Sequence, residues 1–203
     1  MSSDKLRIST LSAGLVLIGA LGLPLVSQAA GTSSSATVGK NSLSSSDRTF
    51  IEKAAQGGLA EVELGKLAAQ KAENAQVKQF GQQMTDDHSK ANAKLEQIAA
   101  NKGVTLPKSM DASSRREYDK LEKLSGAAFD REYMKTMVSD HEKDVKSFQS
   151  EEKSAKDADV KNFAETTLPT LEEHLKLAKS DHAAVASTAK SASKSTKSAA
   201  PHA

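Results

Sequence analysis

Glu61, His88, His141 and His174 each fall on the apolar stripe of a separate amphipathic segment. The chain has only 5 histidines, so three at inward positions need a cause. Taking an ionisable side chain out of water costs on the order of several kcal/mol unless it is paired, hydrogen-bonded or bound to a metal. Three imidazole nitrogens and one carboxylate oxygen would suit Zn²⁺, and also Cu²⁺, Ni²⁺ or Fe²⁺. Asp144, one turn beyond His141, is placed to add a ligand or to orient one from outside. Asp87 and Asp140 directly precede histidines, and adjacent helix positions diverge, so they are expected at the flanks. Met84 and Met137 lie one turn before their histidines and read as core rather than as thioether ligands. Tyr133 reads as core with its hydroxyl toward the polar layer. A hydrogen-bonded layer that only fixes helix register is the competing reading of the same four residues.

Four segments must position these side chains. Phe50, Ala54, Gly57, Glu61, Leu64 and Ala68 recur at spacings of four and three, which predicts a helix from about Asp47 to Glu73. Val77, Phe80, Met84, His88, Ala91, Leu95 and Ile98 predict a second from about Ala75 to Asn101, stopped by Gly103 and Pro107. A crossover follows, with a short helix from Ala112 to Leu124 and Asp111 as its N-cap. Phe129, Tyr133, Met137, His141, Val145 and Phe148 mark a helix from about Gly126 to Ala155. Val160, Phe163, Thr167, Leu171, His174 and Ala178 mark another from about Asp159 to Ser180. Pro169 should kink it, because proline cannot donate to the Glu165 carbonyl.

The chain echoes itself. Ala72 to Phe80 (AENAQVKQF) matches Ala155 to Phe163 (AKDADVKNF) at an offset of 83 residues. Each copy is a turn and a helix start, so the segments form two related hairpins joined by a long crossover. This is the ferritin-like plan for an all-α four-helix bundle. Glu61 and His88 are equidistant from the first turn, at about 20 Å along the axis, and His141 and His174 from the second, at about 25 Å. With the turns at opposite ends, both pairs reach about the same depth.

The ends of the chain differ in kind from this middle. Lys5 and Arg7 precede an apolar run, Leu11 to Val26, and Ser27-Gln28-Ala29 offers small residues for cleavage after Ala29. This reads as a secretory signal peptide over residues 1–29. The run is shorter than the roughly 20 residues a spanning helix needs, which argues against a retained anchor. Residues 30–46 form a Ser-rich linker, with too little apolar content to pack. Residues 182–203 are an Ala/Ser/Lys-rich tail, expected to be disordered or a fraying helix, whose lysines offer contact with an anionic envelope surface.

Composition excludes several classes of function. The chain has no cysteine, so disulfides, thiolate sites and cysteine nucleophiles are out. Residues 47–181 hold 22 basic and 25 acidic side chains, with no basic, aromatic-interleaved face of the kind that binds nucleic acid. No nucleophile motif, phosphate loop or paired-carboxylate site supports an enzyme.

Several blocks resemble the domain of unknown function 4142 family: GGLAEVELGKLA (57–68), VKQFGQQMTDDH (77–88), GVTLP (103–107), SGAAFDREYM (125–134), Asp140-His141 and TLPTLEEHLKLA (167–178). The resemblance implies a ferritin-like, exported bacterial protein, free in the periplasm or membrane-associated, and no particular activity. True di-iron bundles carry Glu-x-x-His on two helices. Here Thr85, Val138 and Leu171 stand three residues before the histidines, so carboxylate-bridged di-iron chemistry is not expected. The expected function is a transition-metal binding protein (Zn, Cu or Fe) for metal handling or stress tolerance, with a structural or interaction protein of the cell envelope as the alternative.

Overall fold

The computed structural model describes the backbone of residues 42–198 and the side chains of residues 42–187. The signal-peptide reading, most of the linker and the last tail residues lie outside that range. The described residues form five helices: α1 Ser45–Lys71, α2 Ala75–Asn101, α3 Ala112–Glu122, α4 Gly126–Ser154 and α5 Ala158–Ser198. None is long and apolar enough to cross a membrane.

Local chemistry explains the helix ends. Ser44 caps α1 through the Asp47 N–H, Asn74 caps α2 through Gln76 and Val77, and Asp111 caps α3 through Ser113 and Ser114. Gly103, at φ 64°, closes α2 with the Val104 N–H on the Ala99 carbonyl, a left-handed turn that favours glycine.

The helices pair as two hairpins, α1 with α2 and α4 with α5. Across the bundle α2 packs on α5 and α1 on α4, while α3 lies on the outside of α1 and α4. The two hairpin turns lie at opposite ends, and two aspartates show this directly. Asp130, near the start of α4, accepts hydrogen bonds from the Glu73 and Asn74 N–H groups of the first turn at 3.1 and 2.9 Å. Asp47, near the start of α1, accepts from Lys156 and Asp157 of the second turn, the latter at 2.8 Å. Donors and acceptors in the two clasps are related by the same 83-residue offset as the sequence echo. Lys102 adds ion pairs to Asp157 and Asp159 at 2.7 and 2.8 Å, tying the end of α2 to the start of α5.

The interior is two apolar compartments. One, around Phe50, Ile51, Leu95, Phe148, Phe163 and Leu171, fills the end beside the second turn. The other, around Leu64, Phe80, Met84, Phe129, Tyr133 and Met137, fills the end beside the first. Between them along each long helix sit the buried polar residues Glu61, His88, His141 and His174. Met84 and Met137 are fully buried in the second compartment, as core packing requires.

Some expectations need correction. Leu43, within the Ser-rich segment whose composition predicts an unpacked linker, is buried in the first compartment, because Ser44 starts the helix early enough to bring it inward. The last helix does not stop near Ser180; it continues to Ser198, through most of the tail, for which helix was one of the two expectations, with Val185 buried in the second compartment. Pro169 lies inside this helix and is exposed, so water can reach the carbonyl the proline leaves without a helical donor.

Helices α1 and α2 touch where both lack a side chain. A Cβ on Gly81 would lie 2.7 Å from the Gly65 carbonyl oxygen and 2.8 Å from the Ala68 Cβ. Rigid atoms stand there, so the helices would have to part. Gly81→Ala should therefore destabilise the protein by about 1–3 kcal/mol in urea denaturation, overriding the helix-propensity gain of about 1 kcal/mol. An unchanged or raised stability would refute this close crossing.

Candidate metal centre

Position on its helix decides what each histidine meets. His88 follows Met84 by one turn on α2, His141 follows Met137 on α4, and His174 follows Leu171 on α5, so each leaves the last apolar layer on the inward face. They are 7%, 0% and 1% exposed, respectively. Their ring centroids form a nearly equilateral triangle: His88–His141 5.7 Å, His88–His174 5.5 Å and His141–His174 5.4 Å. One ring nitrogen from each lies within 4.8 Å of the others.

The hydrogen bonds fix two tautomers. His141 Nδ1 is 2.9 Å from the Met137 carbonyl, which can only accept, so Nδ1 carries the proton and Nε2 keeps a lone pair. His174 Nε2 is 3.2 Å from Asp87 Oδ2, so it donates and leaves the lone pair on Nδ1. His141 Nε2, His174 Nδ1 and His88 Nε2 are all buried, with no hydrogen-bond partner among the described residues. In His141 and His174 the outer bond thus holds the ring's donor and leaves the other nitrogen free to ligate, as the partners of metal-binding histidines do.

The surroundings favour neutral rings. Burial, then the neighbouring His141 and His174, pushes His88 well below the usual imidazole range. Burial, then His174, lowers His141 to about 4, despite the bond to Met137. Burial also lowers His174, against the opposing pull of Asp87. Asp87 itself would be raised by burial, but its bonds to His174 and Lys90 hold it below the usual carboxylate range. Phe80 closes one side, with its ring edge-on to His141 and His174 at 6.5 and 6.4 Å. Beside His88 lies a cavity of about 30 Å³ that Asp144 also lines, large enough for about one water.

The expected four-residue layer is therefore three histidines. Glu61 is buried at the same general level, 3% exposed, but contributes no atom to the cluster. Instead it faces Asp144, Asp140 and Glu117. Burial first, then those charges, pushes its carboxyl well above the usual range. Burial and Asp140 raise half-buried Asp144 to about 6. Burial and then Glu61 raise the buried Tyr133 hydroxyl. Asp87, expected only at the flank, is a direct partner of His174. Its place one position before a histidine concealed this, because the partner sits on a different helix.

A family model described as a domain of unknown function (DUF4142) matches residues 32–180. No curated protein is a detectable match. Among solved structures, a DUF305 fragment from Deinococcus radiodurans is similar at 12% identity and a TM-score of 0.61, covering 68% of this chain and 96% of that one. CopM in its Cu(I)-bound form is similar at 18% identity and a TM-score of 0.56, covering 66% of this chain and 93% of the other. CopM in its Cu(II)-bound form is similar at 17% identity and a TM-score of 0.58, covering 67% and 95%. At these identities the likeness is one of fold.

Proposed function

We propose that this chain, which belongs to the DUF4142 family of unknown function, is an exported protein that binds one transition-metal ion through His88, His141 and His174. The observation that carries this reading is the convergence of three buried imidazoles, each with a ring nitrogen lacking a hydrogen-bond partner among the described residues. A layer that served only helix register would pair those nitrogens, since an unpaired buried polar group costs about 1–3 kcal/mol. Metal–nitrogen bonds of about 2.0 Å put ligand nitrogens roughly 3.3–3.5 Å apart, so small ring rotations would close the triad on an ion. Neutral imidazoles suit borderline and soft ions: copper in either oxidation state, Zn²⁺ or Fe²⁺. The copper-bound forms of CopM, a similar bundle, lend copper weight. The fourth position would fall to water in the small cavity beside His88. The Lys5–Ala29 pattern supports export, and metal handling or stress tolerance is the role such a protein would serve.

Tag-free mature protein, loaded with Cu²⁺ and desalted, should retain about one equivalent by elemental analysis and melt at a higher temperature than the metal-free form. Retention below about a tenth of an equivalent after Cu²⁺, Zn²⁺ and Fe²⁺ loading would overturn the proposal.

A further inference from the structure

The histidines are enclosed, so an ion needs a way in. An open cleft of about 370 Å³ lies between α1, α3 and α4. Glu61, Glu117, Asp140 and Asp144 line it, with Asp111 at the start of α3; Lys53 and Lys143 are its cations. Lys143 is bound to Asp140 at 2.8 Å. The ionised lining is net negative, and a negative cleft with low-dielectric walls concentrates cations.

Three further observations lift this above a chance group of acids. Glu61 is almost wholly buried yet lines the cleft, and its Oε2 has no hydrogen-bond partner among the described residues. Asp144 lines both this cleft and the small cavity beside His88. Glu61 and Asp144 are also separated by 83 residues, the offset that relates the two hairpins, so the bundle's internal symmetry makes them counterparts on α1 and α4.

We propose that Glu61 and Asp144 form a transient site for the metal cation, at the floor of an acidic port, from which the ion passes by Asp144 to the histidine triad. The inference rests on the triad reading above. The carboxylates offer hard oxygen ligands in a partly hydrated setting; the imidazoles offer the final, drier site. Transfer between them changes ligands only and needs no redox partner.

Stopped-flow mixing of metal-free protein with Cu²⁺ alone, followed by the Cu²⁺–imidazole absorption, tests the port. Glu61→Gln and Asp144→Asn should slow loading about tenfold or more while leaving equilibrium Cu²⁺ affinity within about threefold. Glu117→Gln, at the solvent side on α3, should slow it less and disturb the fold least. Glu96→Gln, the same charge change on an exposed site of α2 away from the cleft, should leave the rate unchanged. Loading rates within about twofold of wild type for the first three variants would overturn the port and leave the triad standing. A loss of equilibrium affinity matching the loss of rate would also overturn it, making the carboxylates resident ligands. Wild-type protein that takes up none of Cu²⁺, Zn²⁺ and Fe²⁺ would overturn the triad and the port together.

Discussion

Replacing His141 with leucine should abolish metal-dependent stabilisation and make the metal-free protein more stable. The ring is fully buried, and its Nε2 has no hydrogen-bond partner among the described residues. Leucine fills a similar volume beside Phe80 and Met137 and brings no polar atom. The Met137 carbonyl loses the imidazole donor but keeps its place in the helical ladder. Swapping a poorly satisfied buried polar group for an apolar one of similar shape is commonly neutral or favourable by about 1–3 kcal/mol. Removing one of three ligands should weaken metal binding by at least about 100-fold. The measurement is a pair of thermal melts for each protein, with and without saturating Cu²⁺. Wild type should gain stability with metal and the variant should not. Equal metal-induced shifts in both would remove His141 from the site. A variant destabilised by more than about 2 kcal/mol without metal would mean that the imidazole is structurally satisfied after all.

The second large effect concerns acid. In the folded protein His141 is lowered from 6.5 to about 4, and His88 and His174 are lowered too, chiefly by burial. In the unfolded chain they return to ordinary imidazole values, so below that range the unfolded state binds more protons. The stability they contribute is complete above about pH 6.5 and is lost as pH falls toward the folded values. Between pH 6.5 and 5, His141 alone should account for about 2 kcal/mol. Asp144 and Glu61 act in the opposite sense. Their folded values are raised, so their contribution is complete in acid and is lost as pH rises, through about 6 for Asp144. Comparing metal-free wild type with His141→Leu in urea at pH 7 and pH 5 isolates the histidine. The variant should lose less stability on acidification. Parallel losses in the two proteins would contradict a neutral, buried His141.

Sequence pattern carried the helical frame because the apolar stripe and the caps agree. The α2 helix and the Asp111 cap follow from residues whose local chemistry leaves little choice. The three histidines were legible as a cluster because distance from a hairpin turn measures depth in the bundle. Glu61 shows the limit of that measure. Spacing gives height along α1 but only a coarse direction around it, and the side chain faces α3 and α4 rather than the triad. Leu43 was hidden by its polar neighbours, since no periodic pattern runs through a single apolar residue. The clasps of Asp47 and Asp130 had a sequence signal in their 83-residue separation, but nothing local connects an aspartate to amides more than fifty residues away.

Each hairpin completes the other's corner. The backbone amides at residues 73 and 74 are satisfied by Asp130, and those at 156 and 157 by Asp47. Nothing in these bonds requires both partners to belong to one chain. A shortened crossover between α2 and α4 should therefore not unfold the protein but drive domain swapping: two molecules exchange hairpins and remake the same clasps between them.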